Sequence, residues 1–365
     1  MSANFDIAVI GAGMAGASLT AEVAPHARVL LLEMEDAPGY HATGRSAAFW
    51  VESYGGPQVQ PLTAASGGWL NEAGFLHDRG GLNIARADQR GLLDAFEAEF
   101  SALGIRLERW DRAAMEQAVP GLRAEWVDAI YEPDSKDIDV GGLHAHFLAR
   151  ARTAGAQPRC RSRLTALERV ASGWSLTLVD GTQYTASVLV NAAGAWADVV
   201  AGMAGVRPLG IQPYRRTMLQ LRTEPQPRAD MPVVLDIGGS FYFKPESGRL
   251  WLSPHDETPS APCDAAPEEI DLAQAIDRLE QTVDWRIAQL EHKWAGLRSF
   301  APDRLPIYGF DPRNRGFFWF AGQGGFGIQT APAAARLAGQ LLLNLSSDDM
   351  TRRLDPALYS PARFG

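Results

Sequence analysis

Residues 7–33 of the chain, IAVIGAGMAGASLTAEVAPHARVLLLE, decide the fold. Residues 7–10 form a short apolar run typical of a buried parallel strand, and residues 29–32 form a second one. Between them, residues 14–23 carry Ala and Leu at helical spacing. Because two parallel strands need a crossover connection, this order predicts a β-α-β unit whose second strand ends at Glu33.

The turn between the first strand and the helix has the pattern G-x-G-x-x-G. Gly11 permits the tight turn, Gly13 lets backbone amides approach a pyrophosphate, and Gly16 allows the helix to pack closely on the strand. The phosphate would then meet free N–H groups and the positive end of the helix. Glu33 lies at the position where a carboxylate accepts hydrogen bonds from ribose hydroxyls. This context favours a dinucleotide site, for NAD or FAD, over a merely structural turn.

The composition excludes several classes of protein. The chain has 365 residues, about two domains on a prior of ~150 residues each, and its net charge is −9. An acidic chain offers no electrostatic footprint for nucleic acid or an anionic membrane. Cys160 and Cys263 lie far apart and near no histidine cluster, so we expect neither a metal site nor a disulfide framework. No apolar run reaches the ~18–20 residues of a membrane span, and no basic segment opens a secretion signal. We therefore expect a cytoplasmic protein without a transmembrane segment.

The rest of the chain predicts both helices and strands. Residues 54–134 resemble short helical segments among loops. A strong hairpin signal, Asp180-Gly181, separates two apolar runs. The remaining elements are predicted as helices over 92–103, 142–154, 268–283 and 328–345, a strand-rich section over 210–255 and a buried strand over 317–320.

Three separated motifs carry a family resemblance. Residues 10–16 with Glu33, residues 190–196 (VNAAGAW) and residues 321–330 (AGQGGFGIQT) together resemble the D-amino acid oxidase (DAO) family of flavoenzymes. The resemblance implies an α/β fold in which a Rossmann-like FAD-binding domain is interleaved with an α+β substrate domain built on a mostly antiparallel sheet. The implied FAD-binding domain comprises residues 1–53, 135–206 and 305–350, the substrate domain comprises 54–134 and 207–304, and 351–365 form a C-terminal tail.

The resemblance also implies FAD rather than NAD, bound noncovalently, since no Cys or His matches a position of covalent flavin attachment. Arg45 and Ser46 would offer a cation and a hydroxyl to the second phosphate, although an ordinary polar turn explains them equally well. A helix that begins near residue 328 would stabilise negative charge on a reduced flavin. The implied cofactor contacts are Gly11, Gly13, Gly16, Glu33, Arg45, Ser46, Ala47, Leu164, Ala193, Gly194, Trp196, Gly325, Gly327 and Gln329.

An arginine in an apolar segment indicates the substrate end of the site. Arg298 lies within WAGLRSF, residues 294–300, and a planar guanidinium binds a carboxylate through two hydrogen bonds. The resemblance implies that Arg298, Arg216 and Tyr242 bind the substrate carboxylate and that Tyr54 lines the pocket. An internal salt bridge of Arg298, an inward Arg215 in place of Arg216, and core roles for the tyrosines are the alternatives.

Within the family the likeness is greatest to the bacterial D-arginine dehydrogenases, at residues 39–48, 190–196, 294–300 and 323–330. Those enzymes have a glutamate where this chain reads Gly80-Gly81-Leu82, and a histidine where it has Phe49. Burying a guanidinium without a carboxylate is costly, so a neutral or apolar D-amino acid is favoured over D-arginine. The predicted pocket wall consists of Phe49, Trp50, Val51 and Leu82. Glu52 stays open as a partner for a cationic substrate.

The predicted reaction is oxidative deamination of a carboxylate-bearing small molecule. Hydride transfer from Cα to flavin N5 would give an imino acid, which hydrolyses to the 2-oxo acid and ammonia. No general base is assigned, because a lone His41 beside a cofactor loop is more often structural. The alternatives are oxidation of a 2-hydroxy acid or an N-methyl amino acid, and a non-catalytic flavin-binding subunit. Quinone and oxygen both remain open as the electron acceptor.

Overall fold

The structure is a computed structural model that describes residues 3–365. The helices are α1 Met14–Val23, α2 Gln60–Glu72, α3 Arg90–Ser101, α4 Arg112–Ala118, α5 Val140–Thr153, α6 Ala197–Met203, α7 Glu269–Glu280 and α8 Ala331–Leu343. The strands are β1 Ala3–Ile10, β2 Val29–Leu32, β3 Phe49–Trp50, β4 Leu76–Asp78, β5 Gly81–Arg86, β6 Glu108–Trp110, β7 Trp126–Glu132, β8 Lys136–Ile138, β9 Gln157–Arg159, β10 Leu164–Val170, β11 Gly173–Leu178, β12 Gln183–Asn191, β13 Gln212–Glu224, β14 Val233–Asp236, β15 Tyr242–Glu246, β16 Arg249–Ser253, β17 Thr258–Pro259, β18 Arg286–Phe300, β19 Ile307–Phe310, β20 Phe317–Ala321 and β21 Gln323–Gly324.

The first sheet, of eight strands, is built on the β-α-β unit that opens the chain. β1 lies between β2 and β12 and is parallel to both, while β9 and β20 continue the parallel part beyond them. Side chains alternate across the two faces: Val9 and Leu31 pack under α1, α5 and α8, and Ala8 and Leu30 pack on the opposite face. Both faces are therefore covered, as a parallel sheet requires.

The second sheet has ten strands and is mostly antiparallel. Its longest pair, β13 and β18, lies near one edge, and only β5 and β14 pair in parallel. One face packs on α4 and α7 through residues such as Leu219 and Leu272. The other face carries Met218 and Tyr242, which pack with Phe49. A small third sheet, with strand order β3-β8-β4, brings Phe49 to this position.

These sheets confirm the predicted α/β fold class with its mostly antiparallel second sheet. The opening β-α-β unit, the 180–181 hairpin and the helices near 92, 142 and 268 lie where the sequence predicted them. Two expectations need correction. Residues 54–134 contribute strands β4–β7. These segments form strands because they pair with segments far away in the chain, as β5 does with β7 and β14. The last helix begins at Ala331, after a turn that includes Ile328. The predicted domain boundaries stay a prediction.

Candidate functional site

The glycine turn after β1 is closed too tightly for any other residue. Gly11 has a φ of +98°, a conformation that favours glycine, and a Cβ there would lie 2.5 Å from the carbonyl oxygen of Ala192. A Cβ on Gly16 would lie 1.8 Å from the carbonyl oxygen of Gly11. Gly13 is the N-cap residue of α1. The N-terminus of α1 therefore opens onto a close backbone turn that accepts an anionic group.

Glu33 is buried at the end of β2 and is fixed by backbone donors. Its Oε2 accepts a 2.9 Å hydrogen bond from Ala12 N, and its Oε1 accepts one of 3.1 Å from Glu35 N. Thr43 holds the other side of the turn, since its Oγ1 accepts from Met14 N at 2.9 Å. Sequence analysis missed Thr43, although an exposed first-turn N–H calls for an acceptor and Thr43 lies in the polar segment 41–48. The carboxylate of Glu33 is thus oriented before any ligand binds.

A cavity of about 750 Å³ runs from Glu33 past the glycine turn to the second sheet. Most of the predicted site residues line it, although they come from distant parts of the chain. They are Gly11, Gly13, Glu33, Arg45, Ser46, Ala47, Leu164, Ala193, Gly194, Trp196, Arg216, Tyr242, Arg298, Gly325 and Gly327. Cys263 also lines it, from the 260–267 loop, and is exposed.

Arg298 and Tyr54 meet at the far end of this cavity. Arg298 Nη1 donates a 2.7 Å hydrogen bond to Tyr54 Oη. A Cβ on Gly325 would lie 2.6 Å from that hydroxyl and 2.9 Å from Arg298 Nη1, so only glycine lets the turn approach both groups. Tyr242 stands nearby and donates from Oη to Met218 Sδ at 3.1 Å. The end of the cavity thus combines a cation with two phenols.

Arg216 brings a second guanidinium to the same end. Its side chain is 4% exposed, its Nε donates to Asp256 O at 2.8 Å, and its Nη1 has no partner among the described residues. Burial, followed by repulsion from Arg298, lowers the pKa of Arg216. Arg215 points to the other face, where it pairs with Asp271 at 2.9 Å. Arg216 Nη2 donates to Glu257 Oε1 at 3.4 Å, so within residues 3–365 Nη1 is the donor of Arg216 that stays free, beside the half-buried Arg298. Two neighbouring guanidinium groups with a free donor can bind an anion.

Apolar side chains pack against Tyr54 and Tyr242. The Phe49 ring lies 5.8 Å from that of Tyr242 and 6.1 Å from that of Tyr54, in edge-to-face contacts. Val51 and Met218 pack in the same cluster. The predicted wall residues Phe49 and Val51 therefore pack against the two tyrosines, and neither is among the residues that line the cavity.

The structure corrects the predicted wall at Trp50 and Leu82. Successive strand residues face opposite sides, so the side chain of Trp50 points away from that of Phe49. It packs in the hydrophobic core that contains Val9 and Leu31, and its Nε1 donates to Thr63 O at 3.0 Å. Leu82 is fully buried on the helix-covered face of the second sheet, against residues such as Ile84 and Met115. Neither side chain reaches the cavity.

Two predicted cofactor contacts are engaged with the protein itself. The amide of Gln329 is buried, accepts from Val51 N at 3.2 Å and donates to Tyr54 O and Thr63 Oγ1 at 3.1 and 2.9 Å. It therefore anchors the Tyr54 segment instead of lining the cavity. The Arg45 guanidinium lines the cavity, but it donates to Asp264 and to three backbone carbonyl oxygens. These contacts tie the 260–267 loop over the cavity.

The ionisable groups nearby do not include a free base. Glu52 accepts a 2.6 Å hydrogen bond from Gln60 Nε2, and burial raises its pKa. His255 contacts the Tyr242 ring, and burial together with Arg216 lowers its pKa to about 3, so it is neutral. His41 pairs with Glu35 at 2.9 Å, which fits the expected structural role.

Two further findings concern residues 3–365. No group of three or more His, Cys, Asp or Glu side chains in this range has the geometry to hold a metal ion. No helix in it is both long and apolar enough to cross a membrane.

Comparisons with known proteins agree with this arrangement. A family model described as FAD dependent oxidoreductase (DAO) matches residues 6–341. Mouse mitochondrial dimethylglycine dehydrogenase is 27% identical over 63% of this chain and 28% of its own length. L-2-hydroxyglutarate dehydrogenase of Salmonella houtenae is 26% identical over 60% and 54%. The matches therefore span well under two thirds of these curated relatives. Glycine oxidase from Geobacillus kaustophilus has the same fold, with a TM-score of 0.85, 22% identity and 98% of each chain covered.

The residues present fit FAD. The close turn at Gly11 and Gly16 would leave room for a pyrophosphate, and the oriented carboxylate of Glu33 would accept ribose hydroxyls. The cavity is long enough to continue to Gly325, beside the two arginines. The likeness to the D-arginine dehydrogenases stays a prediction.

Proposed function

Since this chain belongs to the DAO family of FAD-dependent oxidoreductases, we propose that it oxidises a D-amino acid with a neutral or apolar side chain to the 2-oxo acid and ammonia. The observation that carries the proposal is the free Nη1 of Arg216 beside Arg298, at the end of the cofactor cavity. Such a pair binds a carboxylate and fixes its position. The substrate would therefore lie with its Cα next to the Gly325 turn.

FAD, bound noncovalently, would supply the two-electron acceptor for the hydride that leaves Cα. The ammonium group would first lose a proton to solvent, the C=N bond would form from its lone pair as the hydride leaves Cα, and water would then add to the carbon so that ammonia leaves. Arg216 and Arg298 would orient the carboxylate, and Tyr54 and Tyr242 would flank it.

The surroundings of Phe49 support a neutral or apolar side chain. Val51 and Met218 pack in the same cluster as Phe49, and the carboxylate of Glu52 is turned to Gln60. A guanidinium placed among Phe49, Val51 and Met218 would have no free anion to pair with. The choice of the D enantiomer rests on the likeness of residues 39–48 and 294–300 to the bacterial D-arginine dehydrogenases.

A second candidate is oxidation of a 2-hydroxy acid or an N-methyl amino acid, which the names of the two curated relatives favour. The same arginines would bind either carboxylate. Alcohol oxidation, however, benefits from a base close to the hydroxyl, and the neutral His255 with a pKa of about 3 is a poor one. An amine can lose its proton to water before the hydride leaves, so the amino acid is favoured.

Anaerobic titration of the purified flavoprotein tests the proposal. The panel contains D- and L-amino acids with apolar, polar and basic side chains, N-methyl amino acids and 2-hydroxy acids, and the readout is loss of flavin absorbance. We expect bleaching by apolar D-amino acids. Bleaching only by L-amino acids, N-methyl amino acids or 2-hydroxy acids would reject the substrate class. A flavoprotein that nothing in the panel bleaches would favour a non-catalytic subunit. Reoxidation by air or by a quinone then identifies the acceptor.

A further inference from the structure

Residues 51–54 cross the edge of the anion site and carry Tyr54 to Arg298. Gln329 holds the two ends of this segment, through Val51 N and Tyr54 O. The middle of the segment is held from the opposite side, by a carboxylate on the second sheet. That carboxylate belongs to Glu132, which is the last residue of β7.

Glu132 is 1% exposed, and its carboxylate accepts hydrogen bonds from two adjacent residues, Glu52 and Ser53. Its Oε1 accepts from Glu52 N at 3.0 Å and from Ser53 N at 3.4 Å, and its Oε2 accepts from Ser53 Oγ at 2.6 Å. Burying a carboxylate without a cation costs several kcal/mol unless donors compensate. The three donors all come from the segment that presents Tyr54, so the charge of Glu132 and the position of this segment depend on each other.

No cation pairs with Glu132 within residues 3–365. Its titratable neighbour is the carboxylate of Glu52, and the carboxylate of Asp134 is in turn a neighbour of Glu52. Burial, partly offset by the bonds from Ser53 and Glu52 N and reinforced by the Glu52 carboxylate, raises the pKa of Glu132 to about 7. The ionised form accepts all three hydrogen bonds, and charge makes them stronger. When Glu132 is protonated, one carboxyl oxygen carries the proton and donates to Ser53 Oγ instead of accepting from it.

We propose that Glu132 is a positioning residue for the carboxylate site: it holds Glu52 and Ser53 so that Tyr54 stays against Arg298. The inference rests on the proposed function only in that the ligand of Arg298 is a carboxylate. Ionised Glu132 holds the segment firmly and supports tight binding. Loss of its charge, or of its side chain, loosens Tyr54 and weakens binding.

Benzoate, a carboxylate with no oxidisable Cα–H, is the probe. Its dissociation constant is measured on the holoprotein from the shift of the flavin spectrum, for the wild type, Glu132→Ala and Glu132→Gln, between pH 6 and 8. We expect Glu132→Ala to bind about tenfold more weakly at pH 8, because about 1.4 kcal/mol of hydrogen bonding is lost. Glu132→Gln, which imitates the protonated form, should match the wild type at pH 6. It should also lack the wild-type rise in affinity toward pH 8.

A second pair of variants separates positioning from general damage. In a Tyr54→Phe background the hydroxyl that accepts from Arg298 is absent, so Glu132→Ala should cause little further loss. Ser53→Ala, which removes one donor, should bind benzoate more weakly than the wild type, and this variant tests the proposal if Glu132→Ala fails to fold. Full additivity with Tyr54→Phe, or unchanged benzoate affinity in Ser53→Ala and Glu132→Gln at every pH, would overturn the proposal. Because benzoate is not oxidised, a failed substrate panel leaves this result intact.

Discussion

Arg298 and Tyr54 are 244 positions apart in the chain, yet Arg298 Nη1 and Tyr54 Oη are joined by a 2.7 Å hydrogen bond. Arg298 lies near the end of β18 in the second sheet, whereas Tyr54 follows β3 of the small third sheet. The contact therefore depends on how these two sheets meet. It completes the proposed carboxylate site, which no continuous stretch of the sequence contains.

Replacing Arg298 by Met should weaken carboxylate binding by ~3 kcal/mol or more, because Arg216 would face the ligand alone. The measurement is the dissociation constant of benzoate on the holoprotein. Arg222→Met is the matched control, since Arg222 lies on β13 with Arg216 but pairs at the surface with Gln289. Equal affinities for the Arg298 variant and the control would assign Arg298 to structure alone.

Gly325 should tolerate no side chain. The Cβ of Gly325→Ala would come within 2.9 Å of both Tyr54 Oη and Arg298 Nη1, so the two groups must separate or the turn must move. We expect benzoate affinity to fall at least about tenfold, equivalent to 1.4 kcal/mol. Gly68→Ala is the control, because a Cβ at this helical position meets nothing within 4 Å and should stabilise the protein by about 0.5–1 kcal/mol. Unchanged benzoate binding in Gly325→Ala would contradict the site geometry.

How far the sequence predicts this site depends on how local each feature is. Gly11 and Glu33 belong to one β-α-β unit whose spacing brings them together, so both were predicted from the sequence, and both line the cavity. Leu82 was misplaced because the face it occupies depends on its pairing with strands β7 and β14, which lie elsewhere in the chain.

Other features could not be found from the sequence because their partners are far away. Gln329 belongs to a recognisable motif, but its amide bonds to residues 51, 54 and 63, which the motif does not specify. Glu132 lacks any signal of its own, since its hydrogen-bond donors lie 79 and 80 positions earlier. Tertiary contacts, not residue type, give these two side chains their roles.

Glu132 should make the stability of the protein depend on pH. Its pKa is raised from 4.5 to about 7 in the folded protein, so proton binding stabilises the fold fully below pH 4.5. This stabilisation is lost as the pH rises through about 7. Glu132→Gln does not titrate, so between pH 5 and 8 the free energy of unfolding of the wild type should fall by about 2.5 kcal/mol relative to that of the variant. Urea unfolding of the holoprotein at both pH values measures the difference, with exposed Glu72→Gln as the control. If the wild type and Glu132→Gln differ in free energy of unfolding by the same amount at both pH values, the pKa of Glu132 lies outside this range.

The flavin should leave the protein on denaturation, because the proposed binding is noncovalent. Cys263 is the one cysteine that lines the cavity among the described residues, and its thiol is exposed at the 260–267 loop. Acid precipitation should release all of the flavin into the supernatant from both the wild type and Cys263→Ser. The measurement is flavin absorbance in the supernatant and in the redissolved pellet. Yellow pellets from the wild type and colourless ones from Cys263→Ser would instead show a thioether bond to Cys263 and reject noncovalent binding.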